Sequence, residues 1–131
     1  MNKFCVCFKL DTTSILLEKE YSLSPMMKQL QKVTGDIILA NKLEYLQGIY
    51  NSLYSELKKD FKTIEQDFGL NLKTKKVDFC FLNLKEDCAE KAKDKVLGLL
   101  KGYEISIEPV VISEEDYFEL KTRDALGLQY N

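Results

Sequence analysis

The residue types that most often carry enzyme chemistry are unevenly represented in this chain of 131 residues. It has no histidine. Without an imidazole there is no Ser-His-Asp or Cys-His nucleophile, no histidine-ligated zinc or haem, and no general base of the commonest kind. Lysine, carboxylate and cysteine chemistry remain. The cysteines are Cys5, Cys7, Cys80 and Cys88, and a tetrahedral zinc site would take most or all of them. Residues two apart on an extended strand have Cα atoms about 6.7 Å apart, whereas sulfurs that share a zinc lie within about 4 Å of each other. A flat strand therefore suits neither zinc nor a Cys5–Cys7 disulfide. The reading is four reduced, ordinary thiols, with no metal and no cofactor.

The carboxylates offer a second chemistry. Asp11 ends the first expected strand, Glu86 and Asp87 follow the central one, and Asp116, Glu119 and Asp124 lie near the C-terminus. Acids at the ends of neighbouring strands can hold magnesium for phosphoryl transfer. The strings TIEQDF and, much later, RDALGL resemble segments of RuvC-type resolvases of the ribonuclease H-like fold. That resemblance implies a magnesium-dependent nuclease in which Asp11, Glu65 and Asp124 are the catalytic metal ligands. The chain departs from the pattern at Lys121, where the family has another acid. FKTIEQDF is also more polar and more helically phased than the family's buried strand. The competing reading is solvated surface acids. In that reading Glu65 follows a core position, Ile64, and points about 100° away from the buried line of a helix, while Asp11 satisfies turn amides in a hairpin loop.

Nucleotide binding by a phosphate loop is not expected. Neither GxGxxG nor GxxxxGK[ST] occurs, and the turn after the first strand has no glycine. The net charge is −2, with eighteen lysines and one arginine, Arg123. Nucleic-acid readers favour arginine, whose planar fork matches phosphate and guanine, so nucleic acid is an unexpected partner. Abundant lysine, isoleucine and asparagine is what AT-rich coding gives, as in a low-GC bacterium or its phage. With no secretory signal pattern and no long apolar run, the expected site is the cytoplasm, without a membrane.

The elements that would position these residues fit one domain, residues 1–131. Residues 3–21 read as a β-hairpin: KFCVCFKL alternates, with Phe4, Val6, Phe8 and Leu10 on one face, and ILLEKEY returns after the loop DTTS. Ser24 and Pro25 start a helix whose stripe is Met26, Leu30, Val33 and Ile37. Gly35 ends it and Asp36 caps the next. A second stripe runs Leu39, Leu43, Leu46, Tyr50, Leu53, Leu57, Phe61, Ile64, Phe68: 29 residues in eight steps, or about 3.6 per step, the period of a straight helix. KKVDFCFLNL is a central strand covered on both faces, with Val77, Phe79 and Phe81 on one side and Cys80, Leu82 and Leu84 on the other. Asp87 and Glu90 form a capping-box pattern for a helix that Gly102 ends. YEISIEPVVI is a further strand, with Pro109 at an edge or bulge. SEED can cap a C-terminal helix, although YFELKT reads nearly as well as a strand.

The expected fold is α/β of the α+β kind: an N-terminal β-hairpin, a long helix or helical hairpin, then β-α-β and a short C-terminal helix. The helices pack on a mixed sheet in which the crossover makes parallel neighbours. A helix of about 32 residues ending at Phe68 would reach roughly 48 Å, against roughly 30 Å for the strands. Its overhang, flanked by tyrosines, invites another chain. The functional expectation is a non-catalytic protein-protein interaction module, a regulator, inhibitor or accessory subunit. It would bind a protein partner or form a homodimer through its long helix, at Tyr45, Ile49, Tyr50 and Tyr54, or through an open sheet face. The alternatives are the magnesium-dependent nuclease and a small-ligand binder.

Overall fold

A computed structural model describes residues 2–125. The first strand, β1 (Phe4–Asp11), forms where the alternation of Phe4, Val6, Phe8 and Leu10 places it. It does not turn back on itself. A single turn of 3-10 helix over Thr12–Ser14 follows, capped by Asp11, and residues 15–24 join no strand ladder. The expected hairpin partner is excluded by β1's position, because both of its edges are occupied by other strands. Residues 15–24 instead run across the helical layer. There the Tyr21 amide donates to Asn41 Oδ1 at 2.6 Å and the Ser24 amide donates to Glu44 Oε1.

Two helices follow, α1 (Pro25–Thr34) and α2 (Ile37–Asp60). The Ser24 hydroxyl accepts from the Met27 amide and Pro25 takes the first turn, where a missing N–H costs nothing. Gly35 closes α1 at φ +70°, a conformation that favours glycine, and donates to the Gln31 carbonyl. Asp36 then caps α2 by accepting from the Leu39 amide at 2.9 Å. Helix α2 buries Leu39, Leu43, Leu46, Tyr50, Leu53 and Leu57, the stripe read from the sequence, and Ile49 beside them.

The stripe outlasts the helix. The chain leaves the helix after Asp60 and enters β2 (Glu65–Asn71), which pairs with β3 (Lys76–Leu84). Ile64 and Phe68 continue the helical spacing, yet four residues is also an even number. Ile64, Gln66, Phe68 and Leu70 therefore share one face of a strand equally well. Partner β3 decides between the two, since it offers a full backbone ladder to this segment. The hairpin turn is held by Asn71, whose Oδ1 accepts from the Lys73 and Thr74 amides.

Helix α3 (Glu86–Gly102) buries Ala89, Ala92, Val96 and Leu100. Its expected capping box is absent, because the helix starts two residues early, with Lys85 at the N-cap, and the Asp87 carboxylate accepts from the adjacent Cys88 amide. Strand β4 (Val110–Ser113) leads directly into α4 (Glu114–Ala125), so the ambiguous C-terminal segment is helical. Ser113 ends the strand and accepts from the Asp116 amide at 3.1 Å. SEED thus supplies the cap.

The sheet order is β2-β3-β1-β4 and every pairing is antiparallel. The expected parallel neighbours β3 and β4 do run the same way, but β1 lies between them and the sheet is not mixed. One face carries Val6, Phe8, Leu10, Val77, Phe79 and Phe81 into a core shared with α1, α2 and α3. The opposite face carries Cys5, Cys80 and Leu82 beneath Tyr117 of α4. Leu84 was expected on that second face but joins the first. Asn83 adopts φ +65°, a left-handed conformation that asparagine tolerates better than most residues, and this resets the alternation.

A 24-residue helix is about 36 Å long and the nine-residue β3 about 30 Å. The overhang that invited a second chain is therefore almost gone. Among the described residues, no helix is long and apolar enough to cross a membrane.

Tyr50 is the pivot of the core. Its ring stacks on Phe81 with centroids 4.8 Å apart and planes 3° apart. Its hydroxyl donates to the Cys80 carbonyl at 2.6 Å and accepts from the Asp67 amide at 2.9 Å. Replacing Tyr50 with Phe should keep the fold and cost about 1–3 kcal/mol, because two buried backbone groups lose their partner. Urea denaturation checks this, and an unchanged midpoint would show the bridge to be unimportant.

Candidate functional site

Cys5 and Cys7 lie on the face of β1 opposite the helical core. Cys80 is the direct cross-strand partner of Cys7. The three sulfurs all lie within 4.8 Å of one another. The flat-strand expectation considered only the i, i+2 pair. A third thiol from the next strand, about 4.8 Å away across the ladder, joins the pair into a triangle. Cys5 and Cys80 are fully buried and Cys7 is half-buried, while Cys88 lies outside the cluster at the start of α3.

Helix α4 forms the roof. Tyr117 is buried against Cys5, Cys80 and Leu82, with Cys7 and Ile112 at the margin. Its hydroxyl donates to Asp67 Oδ2 at 2.8 Å, and Lys121 Nζ, one turn on, donates to the same oxygen at 2.8 Å. Asp67 pairs with Cys80 in the β2–β3 register, so the roof is latched beside the thiols. Asn83 and Glu114 fix the start of the helix: the Asn83 amide donates to Glu114 Oε2 at 2.8 Å. Between α4 and the sheet lies a cleft of about 510 Å³, lined among others by Cys7, Lys9, Ile107, Tyr117, Leu120 and Lys121.

The electrostatics single out Cys7. Hydrogen bonds from the Cys5 and Cys80 thiols, aided by the charge of Lys9, pull its pKa well below the ordinary thiol range. The proton stays on its neighbours. Cys5 is pushed up chiefly by its hydrogen bond to Cys7, and Cys80 chiefly by burial. Burial also pushes the Tyr117 phenol up, so it stays a neutral donor to Asp67. The arrangement holds one thiol of lowered pKa facing a cleft, two further sulfurs within reach, and Lys9 and Lys121 along the cleft wall.

The other candidate residues are dispersed. Glu65 opens strand β2 rather than closing a helix, and its Oε1 lies 3.5 Å from Asn83 Nδ2. Asp11 accepts from the Thr13 amide and hydroxyl, which pull its pKa down. Asp11 and Asn71 both pair with Lys76, six positions along β2 from Glu65, which places Asp11 and Glu65 about 20 Å apart. Those two acids cannot share a metal. Asp124 belongs to α4, but its side chain lies outside the described residues.

The tyrosine-flanked helix is covered from within. Tyr50 and Ile49 are in the core, Tyr45 stacks near Tyr21 at 5.6 Å, and Tyr54 donates to the Ile64 carbonyl at 3.2 Å. Exposed apolar side chains gather elsewhere, at the α1–α2 elbow. Leu16 and Ile38 are 90% and 65% exposed, with Ile37 and Val33 also open to solvent. Leu16, Ile37 and Ile38 share a groove of about 530 Å³ with Ile15, Leu17 and Lys42.

Sequence reasoning missed the roles of Asp67, Tyr117 and Lys121. The signal was present in part: Tyr117 and Lys121 are four apart, one face of a helix once residues 114–125 are read as helical. Comparison with known protein families, with curated proteins and with solved structures finds no match.

The Cys7 shift has a direct readout. A thiol reacts as its thiolate, so alkylation of Cys7 by iodoacetamide should reach half its limiting rate at a lower pH than free cysteine does. The limiting rate itself should be modest, because nucleophilicity falls with pKa. Cys7→Ser should remove this low-pH phase. A rate profile for Cys7 centred at or above that of free cysteine would contradict the assignment.

Proposed function

We propose that the protein is a non-catalytic interaction module, a regulator, inhibitor or accessory subunit, that docks an apolar segment of another protein into the groove at the α1–α2 elbow. The observation that carries this reading is the concentration of exposed Leu16, Ile37 and Ile38 around one groove. Scattered surface apolar residues are ordinary, but a group of them around a concavity marks an interaction site. Glu18, Lys19, Glu20 and Lys42 ring the groove, giving the apolar centre and polar rim of a protein interface. The separation of Asp11 from Glu65 along the sheet weighs against the nuclease alternative. The site of action in this reading is the cytoplasm, where the clustered thiols stay reduced. The lysine-rich composition suits a phage or other mobile element of a low-GC bacterium.

Leu16→Lys combined with Ile38→Lys tests the surface. Both side chains are open to solvent, so the melting midpoint should not change. The partner that co-purifies with the wild-type protein from extracts of its own cells should be lost. Equal retention by variant and wild type would overturn the assignment. A dimer by light scattering that the double variant splits would make the occupant a second copy of the chain.

A further inference from the structure

We propose that Cys5, Cys7 and Cys80 form a binding site for one thiophilic d10 cation, copper(I) or zinc(II), reached through the cleft under α4. This site shares no lining residue with the elbow groove. Three thiols from two adjacent strands converge within 4.8 Å of one another. Metal–sulfur bonds of about 2.3 Å require sulfurs about 3.8 Å apart in a tetrahedral site and about 4 Å apart in a trigonal one. The triangle therefore closes by no more than about 1 Å on any edge, within reach of small χ1 adjustments. All-thiolate sites select soft cations over magnesium, calcium or manganese.

The surroundings suit a cation held by anionic sulfur. As the metal–sulfur bonds form, the three cysteines bind as thiolates and their S–H protons pass to solvent. Lys9 and Lys121 line the same cleft and offset part of the negative charge left on the cluster, the rest of their charge being shared with Asp78 and Asp67. Ligand orientation is fixed from both sides of the sheet. Tyr50 holds the Cys80 carbonyl from the core side, and the Tyr117–Asp67–Lys121 latch holds α4 over the sulfurs. Such outer contacts are what keep metal ligands in place. Cys7 faces the cleft, so copper(I) is satisfied by the three sulfurs, whereas zinc(II) completes its four ligands with a solvent molecule from that side.

The test uses the intact, fully reduced chain under anaerobic conditions. Copper(I) is titrated against bicinchoninate and zinc(II) against a chromophoric chelator. The expected result is one equivalent of at least one ion withheld from its chelator, with Cys7, reactive in the metal-free protein, protected from alkylation while Cys88 stays reactive. Stoichiometric copper(I) without zinc(II) identifies the trigonal site, and zinc(II) binding identifies the solvent-completed one. Cys7→Ser should weaken binding at least a hundredfold, and Cys88→Ser should leave it unchanged. Failure of both ions to bind, or full affinity in Cys7→Ser, overturns the proposal. The alkylation footprint on the wild-type protein decides the matter even if Cys7→Ser does not fold.

Discussion

A phenol buried under a sheet must find polar partners there, and Tyr50 finds them in the sheet itself. Its hydroxyl joins Cys80 of β3 to Asp67 of β2, while its ring stacks on Phe81. Helix α2 is thereby tied to the strand pair by a directional contact as well as by apolar burial. The rest follows from that register. With Asp67 beside Cys80, the carboxylate sits where Tyr117 and Lys121 reach it from the far face. One helix is fastened to the sheet from below and another from above, at the same cross-strand pair.

The two faces of the sheet differ in kind. The face toward α1, α2 and α3 is a conventional core of aromatic and branched side chains, with Phe8 and Phe79 stacked at 4.8 Å. The face toward α4 is small, sulfur-rich and partly open. A single short helix cannot close a four-stranded sheet, so a cleft remains at its margin. The Asn83 bulge separates the two environments, sending Leu82 to the thiols and Leu84 to the core. What the sequence presents as one apolar strand, VDFCFLNL, therefore serves two unlike surroundings.

Much of this was legible beforehand. The alternation in KFCVCFKL, the Ser24–Pro25 start, the Gly35–Asp36 break and the Leu39–Leu57 stripe each describe a local preference that the fold keeps. The errors arose where a non-local partner decides. Ile64 and Phe68 satisfy a helix and a strand alike, and only β3 resolves them. ILLEKEY has strand-like composition, but β1 has no free edge to offer it. The thiol cluster was missed because Cys7 was paired in sequence with Cys5, whereas its nearest strand neighbour is Cys80, in a different part of the chain. The two fixed acids that the nuclease resemblance brings forward, Asp11 and Glu65, are level with opposite ends of the sheet, which no local pattern could reveal.

The central position of β1 has a consequence for how the chain is made. Cys5 donates to the Ile112 carbonyl, 107 residues later, and β1 also pairs with β3. The β2–β3 hairpin and the α1–α2 pair are local and can form as they leave the ribosome. Strand β1 emerges first but has neither neighbour until most of the chain has followed. A strand with alternating apolar side chains and two unpaired edges is an aggregation hazard for that interval. Closing loops of this length is also slow relative to local structure. The sulfur triangle therefore assembles only when β1 meets β3, after the local β2–β3 hairpin, and the sheet is completed later by β4.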